Sequence, residues 1–322
     1  MSNKEIYSKT LKFSLIRVLW DIFAFLILGA LTAGGFIIAE QTLDKGLAGL
    51  LIGLVVGVIF IVVLLRFVSY QYAAGQIAMM TKGVTEGSLP KDVVKEGKAV
   101  VKRRFTTVVV YFAVTSAIKA VFRQIGNGIT KAGEAIGGDT GSAIGSAIST
   151  GISILVAYLC DCCLGWVFYR EDEKPVKATL EGGALFFKHG KTLLKNTGRI
   201  FGMGLLSLLL IGGVFFGGFY LLALQFPNMF STLASEISEF AAEAEAELPA
   251  ALSDPKTLTI ICAALAAAII WRILHAVFVR PFILTGVLRN FIESGVRDMP
   301  TEENLLAVAQ KSPKFAKLMK EQ

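Results

Sequence analysis

Six windows of about 20 predominantly apolar residues recur along this chain, at 18–39, 47–65, 105–122, 143–169, 200–224 and 258–279. A helix needs about that length to cross the roughly 30 Å hydrocarbon layer of a bilayer, where the backbone must satisfy its own hydrogen bonds. Few soluble folds can absorb such a series. The 322 residues are 54% hydrophobic and only 18% charged, against about 25% charged in ordinary soluble domains. The expected fold class is therefore all-α: a polytopic helical membrane protein with six transmembrane helices. The N-terminal stretch is basic and then apolar, with no small-residue cleavage site after a short apolar core. It reads as a retained first span rather than a removed signal peptide.

Lysine and arginine assign sides, because short basic connections stay in the cytoplasm. Lys4, Lys9, Lys12 and Arg17 precede the first window, and basic residues crowd the connections 66–104 and 170–199. The connection 225–257 is acidic instead, with Glu236, Glu239, Glu243, Glu245, Glu247 and Asp254 against Lys256. Both termini are thus expected in the cytoplasm, with the protein in the plasma (inner) membrane. Trp20, Trp166 and Tyr169 read as an aromatic belt on that side.

The two basic connections also echo one another. An offset of 85 residues aligns Pro90 with Pro175, Glu96 with Glu181, Gly97 with Gly182 and Ala99 with Ala184. Self-similarity of this kind points to pseudo-repeated hairpins, here 1–65, 66–169 and 170–279, followed by a helical cytoplasmic tail over 280–322. An interfacial amphipathic helix would precede the second and third hairpins. On those helices Lys98, Lys102, Arg103, Arg104, Lys188, Lys191, Lys195 and Arg199 would meet lipid head groups or an acidic partner. An acidic amphipathic helix is expected in the outer connection, ending near Pro249, and Thr301 reads as a helix cap with Glu303 or Asn304 as its capping-box partner.

Ionisable residues within apolar windows are costly and count as candidates for function. Asp161 lies nine residues before Arg170, and Arg272 eight before Arg280, so at 1.5 Å per residue both fall about 12–13 Å from the basic side. With Asp21 and His275 they outline a candidate intramembrane polar site for an ion, a proton or a charged solute. The alternative is a structural ion pair with a snorkelling Arg272. Gly133, Gly137, Gly141, Gly145 and Ser149 place a small residue at every fourth position, a ridge suited to close helix packing or to association with a second copy of the chain.

Other chemistries find no support. Cys160, Cys162, Cys163 and Cys262 lack redox or zinc spacing. The only histidines are His189 and His275, and no nucleophile or metalloprotease motif occurs. No enzyme activity, metal or cofactor is expected. The net charge of +7 follows from topology, so the expected contacts are membrane lipids and a membrane-complex partner, not nucleic acid.

The run Gly183, Phe186 and Lys191 leading to Asn196, Arg199 and Ile200, then a glycine-rich span, an outer loop and a last span with a helical tail, resembles the C-terminal part of choline-transporter-like membrane proteins. The likeness covers about the last 140 residues. It implies movement of a small cationic amine or lipid-related solute, with no substrate residue carried across. Two functions compete: a transporter or channel-like protein, and a non-transporting scaffold or envelope-complex subunit that docks partners through its basic helices and glycine ridge.

Overall fold

The computed structural model describes residues 1–43, 45–105, 116, 119, 141–194, 197–243 and 249–320. Among these the regular structure is helical throughout. In chain order the helices are α1 (Asn3–Leu43), α2 (Gly46–Thr85), α3 (Val93–Arg104), α4 (Gly141–Tyr169), α5 (Pro175–Leu194), α6 (Thr197–Ser207) and α7 (Gly213–Ala223). They continue with α8 (Pro227–Glu243), α9 (Ala250–Ser253), α10 (Pro255–Leu274), α11 (Arg280–Arg297), α12 (Glu302–Lys311) and α13 (Pro313–Lys320). Two π-helical segments, Leu208–Gly212 and His275–Val279, interrupt the later helices. The chain forms two units, one of Met1–Ile200 with Arg280–Gln322 and one of Phe201–Val279.

In the first unit α1 and α2 run 41 and 40 residues, about 60 Å each at 1.5 Å per residue. That is twice what the hydrocarbon layer requires. They pair antiparallel, and each changes character halfway. In the half nearest their connecting turn, large apolar side chains such as Ile22, Leu26, Ile38, Ile52, Val55 and Ile59 face outward. The seam between the helices is made of glycine. Gly49, Gly53 and Gly57 recur at every fourth position of α2, and a Cβ on Gly53 would strike the Leu31 carbonyl while one on Gly49 would strike that of Gly35. Bare ridges of this kind let two backbones pack by dispersion where lipid offers no hydrophobic drive.

In the other half the same two helices are buried in protein. Ile6, Phe13, Ala74, Met79 and Met80 are shielded, and Gln76 Nε2 donates to Ser14 Oγ at 2.9 Å and to the Thr10 carbonyl at 3.3 Å. This half belongs to a packed helical body. The change falls near Trp20 and Tyr70, residues suited to a bilayer surface.

The body corrects the expectation of lipid-facing amphipathic helices. Asp92 caps α3 by accepting from the Lys95 amide at 3.0 Å, and the face Val93, Gly97, Val100 and Val101 is buried. Gly97 approaches α2 so closely that a Cβ would stand 2.9 Å from the Gly75 carbonyl. Likewise a Cβ on Gly182 of α5 would meet Cys163 Sγ at 2.6 Å. Both glycines aligned by the 85-residue offset therefore sit where their helix touches protein. α11, read from sequence as the start of a tail, is enclosed in protein: Ile283, Leu284, Val287, Leu288, Phe291 and Ile292 are buried. Its side chains are apolar on more than one face because it has neighbours on several sides.

α12 and α13 fold back on α5, where Leu305, Val308 and Phe315 pack with Leu180 and Ala184. Thr301 and Asn304 form a full capping box at the head of α12, which settles the partner as Asn304. Thr301→Ala should cost about 1 kcal/mol, seen as faster proteolysis within 301–320 while the main melting transition stays in place.

The second unit pairs α6 and α7 with α10. The amphipathic α8 packs on α10 through Phe230, Ala234 and Leu258, and Asp254 caps α10 by accepting from the Thr257 amide at 2.9 Å. Leu205, Leu209, Leu210, Val214, Leu221 and Leu265 face outward.

Three helices among the described residues are long and apolar enough to cross a membrane: Asn3–Leu43, Gly198–Ala223 and Pro255–Arg297, with shorter apolar helical stretches at Ala48–Val63 and Ser153–Tyr169. The chain is an integral membrane protein. Of the third expected span, 105–122, only residues 105, 116 and 119 are described, and Gly133 and Gly137 lie outside the described residues.

Candidate functional site

Asp161 is ion-paired, and its partner is Arg280 rather than Arg272. Arg280 Nη2 donates to Asp161 Oδ2 at 2.7 Å, and the Arg280 guanidinium also lies 5.7 Å from the ring centroid of Tyr158, one turn before Asp161 on α4. Counting residues from the helix ends placed Asp161 and Arg272 at matched depth, but a side chain as long as arginine chooses among acids within its reach.

The neighbours of α4 also change the depth of Asp161. The Thr81 hydroxyl of α2 faces the Gly165 carbonyl at 3.4 Å, and Thr85 and Glu86 share a cleft with Tyr169 and Glu171, so α2 and α4 run parallel. Asp161, four residues before Gly165, is then level with Ile77. That is seven residues beyond Tyr70, about 10 Å into the body. Asp21 is half-buried on α1, beside the Trp20 level.

The end of α4 carries a denser polar network. Trp166, fully buried rather than part of an aromatic belt, donates from Nε1 to Glu181 Oε2 at 3.1 Å. Arg170 Nη1 reaches the same oxygen at 3.1 Å and pairs with Asp172 and Glu173, also at 3.1 Å each. Arg104 of α3 closes the helix end, donating to the carbonyls of Arg170 at 2.7 Å and Glu173 at 2.6 Å. The two ends of the Arg170–Glu181 pair respond differently to enclosure. Burial raises the Glu181 pKa and outweighs the help of Trp166 and Arg170. Burial also opposes the Arg170 charge, but its hydrogen bond to Asp172 and the charges of Glu181 and Glu173 prevail and raise its pKa. Three carboxylates surround that guanidinium, whereas Glu181 has one close cation.

Other basic residues also have partners within the protein. Lys98 Nζ donates to Tyr72 Oη at 2.9 Å, Arg103 pairs with Glu96 at 3.1 Å, and Lys188 pairs with Asp298 at 2.5 Å, beside the kink that α5 makes at His189. Arg199 stacks over Phe282 at 5.4 Å and lies across Gly286, where a Cβ would meet its Nη1 at 2.6 Å. Lys102 is exposed. The Lys191 side chain and Lys195 lie outside the described residues, as do the surroundings of Gly141, Gly145 and Ser149, although these last three belong to α4.

Arg272 and His275 belong to the second unit, with Arg272 exposed. There a polar cluster joins two apolar helices. Ser207 Oγ donates to the Gly204 carbonyl at 2.7 Å, and it stands 2.9 Å from His275 Nδ1 and 3.2 Å from Trp271 Nε1. The hydroxyl accepts from the Trp271 N–H, and the tautomer of His275 sets which of Ser207 and His275 supplies the proton between them. Ser207 immediately precedes one π-helical segment and His275 opens the other. Sequence reasoning missed Ser207, and only its neighbours in an otherwise apolar run would have drawn notice. It also missed the Gly49, Gly53 and Gly57 ridge, which carries the same spacing as the glycines from Gly133 onward.

Cys160, Cys162 and Cys163 are buried, Cys262 is half-buried, and all four are free thiols. Among the described residues no group of three His, Cys, Asp or Glu side chains is placed to hold a metal. No protein-family model matches the chain, and neither a curated protein nor a solved structure is found to be similar to it.

Proposed function

We propose that this integral membrane protein is a non-transporting scaffold, or a subunit of an envelope complex, anchored by apolar hairpins and acting through its helical body. The observation that carries this reading is the closed ion pair between Asp161 and Arg280 at 2.7 Å. The acid best suited to a transport path is held by a half-exposed arginine of the same body instead of standing ready for a cation. In this reading six spans form three pseudo-repeated hairpins in the plasma (inner) membrane, with both termini and the body in the cytoplasm.

Reconstitution into vesicles tests it. Purified protein should release proton and monovalent-cation gradients no faster than protein-free vesicles, and Asp161→Asn should lower thermal stability without touching permeability. Protein-dependent flux that disappears in a folded Asp161→Asn variant would sink the scaffold role.

One observation favours a second reading, transport of a small cationic amine or lipid-related solute. The Ser207, Trp271 and His275 cluster binds together apolar helices at two π-helical segments, and π-bulges gather at functional sites. Flux abolished by His275→Ala but not by Asp161→Asn would select it.

A further inference from the structure

A cleft of about 480 Å³ opens in the body where the last turns of α2 and α3 meet the end of α4. Small-molecule sites fall in the range of about 300–1,000 Å³. Its floor is apolar, with Met79, Val100 and Phe168 buried beneath it. Its rim carries both signs of charge, Lys82 and Arg103 against Glu86 and Glu171.

The threonine hydroxyls between floor and rim already have partners. Thr81 Oγ1 donates to the Gly165 carbonyl at 3.4 Å and Thr85 Oγ1 to the Thr81 carbonyl at 3.1 Å. Recognition is therefore left to the rim. Its cations are only lightly held: Lys82 pairs with Glu86 at 3.6 Å and Arg103 with Glu96 at 3.1 Å, with the two cationic side chains 32% and 62% exposed. Exposed pairs of this kind contribute about 0–1 kcal/mol, so either cation can turn to an incoming anion at little cost. Arg104 cannot, being fixed on the backbone carbonyls after α4.

We propose that this cleft binds a small zwitterion with an apolar end, of the apolar α-amino acid class. Its carboxylate lies between Lys82 and Arg103, its ammonium faces Glu86 and Glu171, and its side chain rests on Met79, Val100 and Phe168. A simple anion would face two carboxylates without compensation, a simple cation two basic groups, and a purely apolar molecule would strip water from the rim with nothing in return. The site is independent of the scaffold role, since it needs neither a partner nor a membrane path.

Full-length protein in detergent, titrated with L-phenylalanine by calorimetry, tests the assignment, with 3-phenylpropionate and 2-phenylethylamine as probes each lacking one charge. L-phenylalanine should bind saturably. Each single-charge probe, and each of the variants Arg103→Gln and Lys82→Gln, should bind at least about tenfold more weakly, a difference of about 1.4 kcal/mol. Both substitutions fall on exposed or half-exposed side chains, so melting temperatures should match the parent and separate lost binding from lost folding. The proposal is overturned if L-phenylalanine shows no saturable binding, if 3-phenylpropionate binds as tightly, or if both folded variants bind like the parent.

Discussion

Gly53→Leu should unseat the α1–α2 hairpin, at a cost of about 3 kcal/mol, the upper end of ordinary overpacking. Any Cβ at this position collides with the Leu31 carbonyl and comes within 3.1 Å of the Leu31 carbonyl carbon and the Thr32 Cα. These are backbone atoms of a helix, which cannot rotate aside as a side-chain end can. The helices must separate along their whole seam, giving up the contacts of Gly49 and Gly57 as well. The same chain supplies its control. Gly29 and Gly34 have nothing within 4 Å of an added Cβ, so Gly29→Leu and Gly34→Leu should stay within about 0.5 kcal/mol of the parent. Unfolding in a denaturing-detergent titration, followed by tryptophan fluorescence, compares the three. Equal losses at Gly53 and Gly29 would show that the ridge does not hold the hairpin.

Arg170→Met should destabilise the body by about 3–5 kcal/mol, because it strands a buried carboxylate. Glu181 is only 5% exposed, and without Arg170 its charge keeps the Trp166 N–H and the more distant charge of Lys177. The converse change is mild. Glu181→Gln retains an oxygen for Trp166, and Arg170 still has Asp172 and Glu173, so the expected cost is about 1 kcal/mol, that of one modest hydrogen bond. The pair also predicts a pH dependence. Enclosure holds the folded Glu181 pKa above its ordinary 4.5, and losing the cation raises it further. A carboxyl whose folded pKa exceeds its unfolded one favours folding when protonated. The Arg170→Met deficit should therefore be smallest below about pH 4.5 and grow as pH rises through the raised folded value. Melting curves of both variants between acidic and neutral pH would decide. A deficit that grows on acidification would contradict the sign.

The membrane class and most of the helices were legible because apolar runs long enough to span a bilayer have few other uses. The Thr301 cap and the acidic amphipathic helix α8 were legible too, each from a local pattern. What the sequence hid was where the helices stop being membrane. α1 and α2 continue helical through Thr10, Ser14 and Gln76, and a hydropathy window sees only that polarity rises, not that these groups bond across a packed interface. Amphipathic α3 and α5 carry the same residues whether they lie on lipid or on protein. The deciding signal was Gly97 and Gly182, which leave room for another backbone or side chain and would serve no purpose against fluid lipid. Asp161 failed for a related reason: residue counting gives height along one helix, while the choice of Arg280 depends on which helix stands alongside.

The position of α11 has a consequence for how this protein is made. Its Arg289 holds the start of α1, donating to the Met1 carbonyl at 2.6 Å and to Asn3 Oδ1 at 2.5 Å, yet it is synthesised 286 residues after Asn3. The first hairpin must wait in the bilayer with its packed ends unclosed until α11 has been translated. A stop codon that removes α11 would leave an inserted anchor with a hollow interior, which is the kind of product that membrane proteases clear.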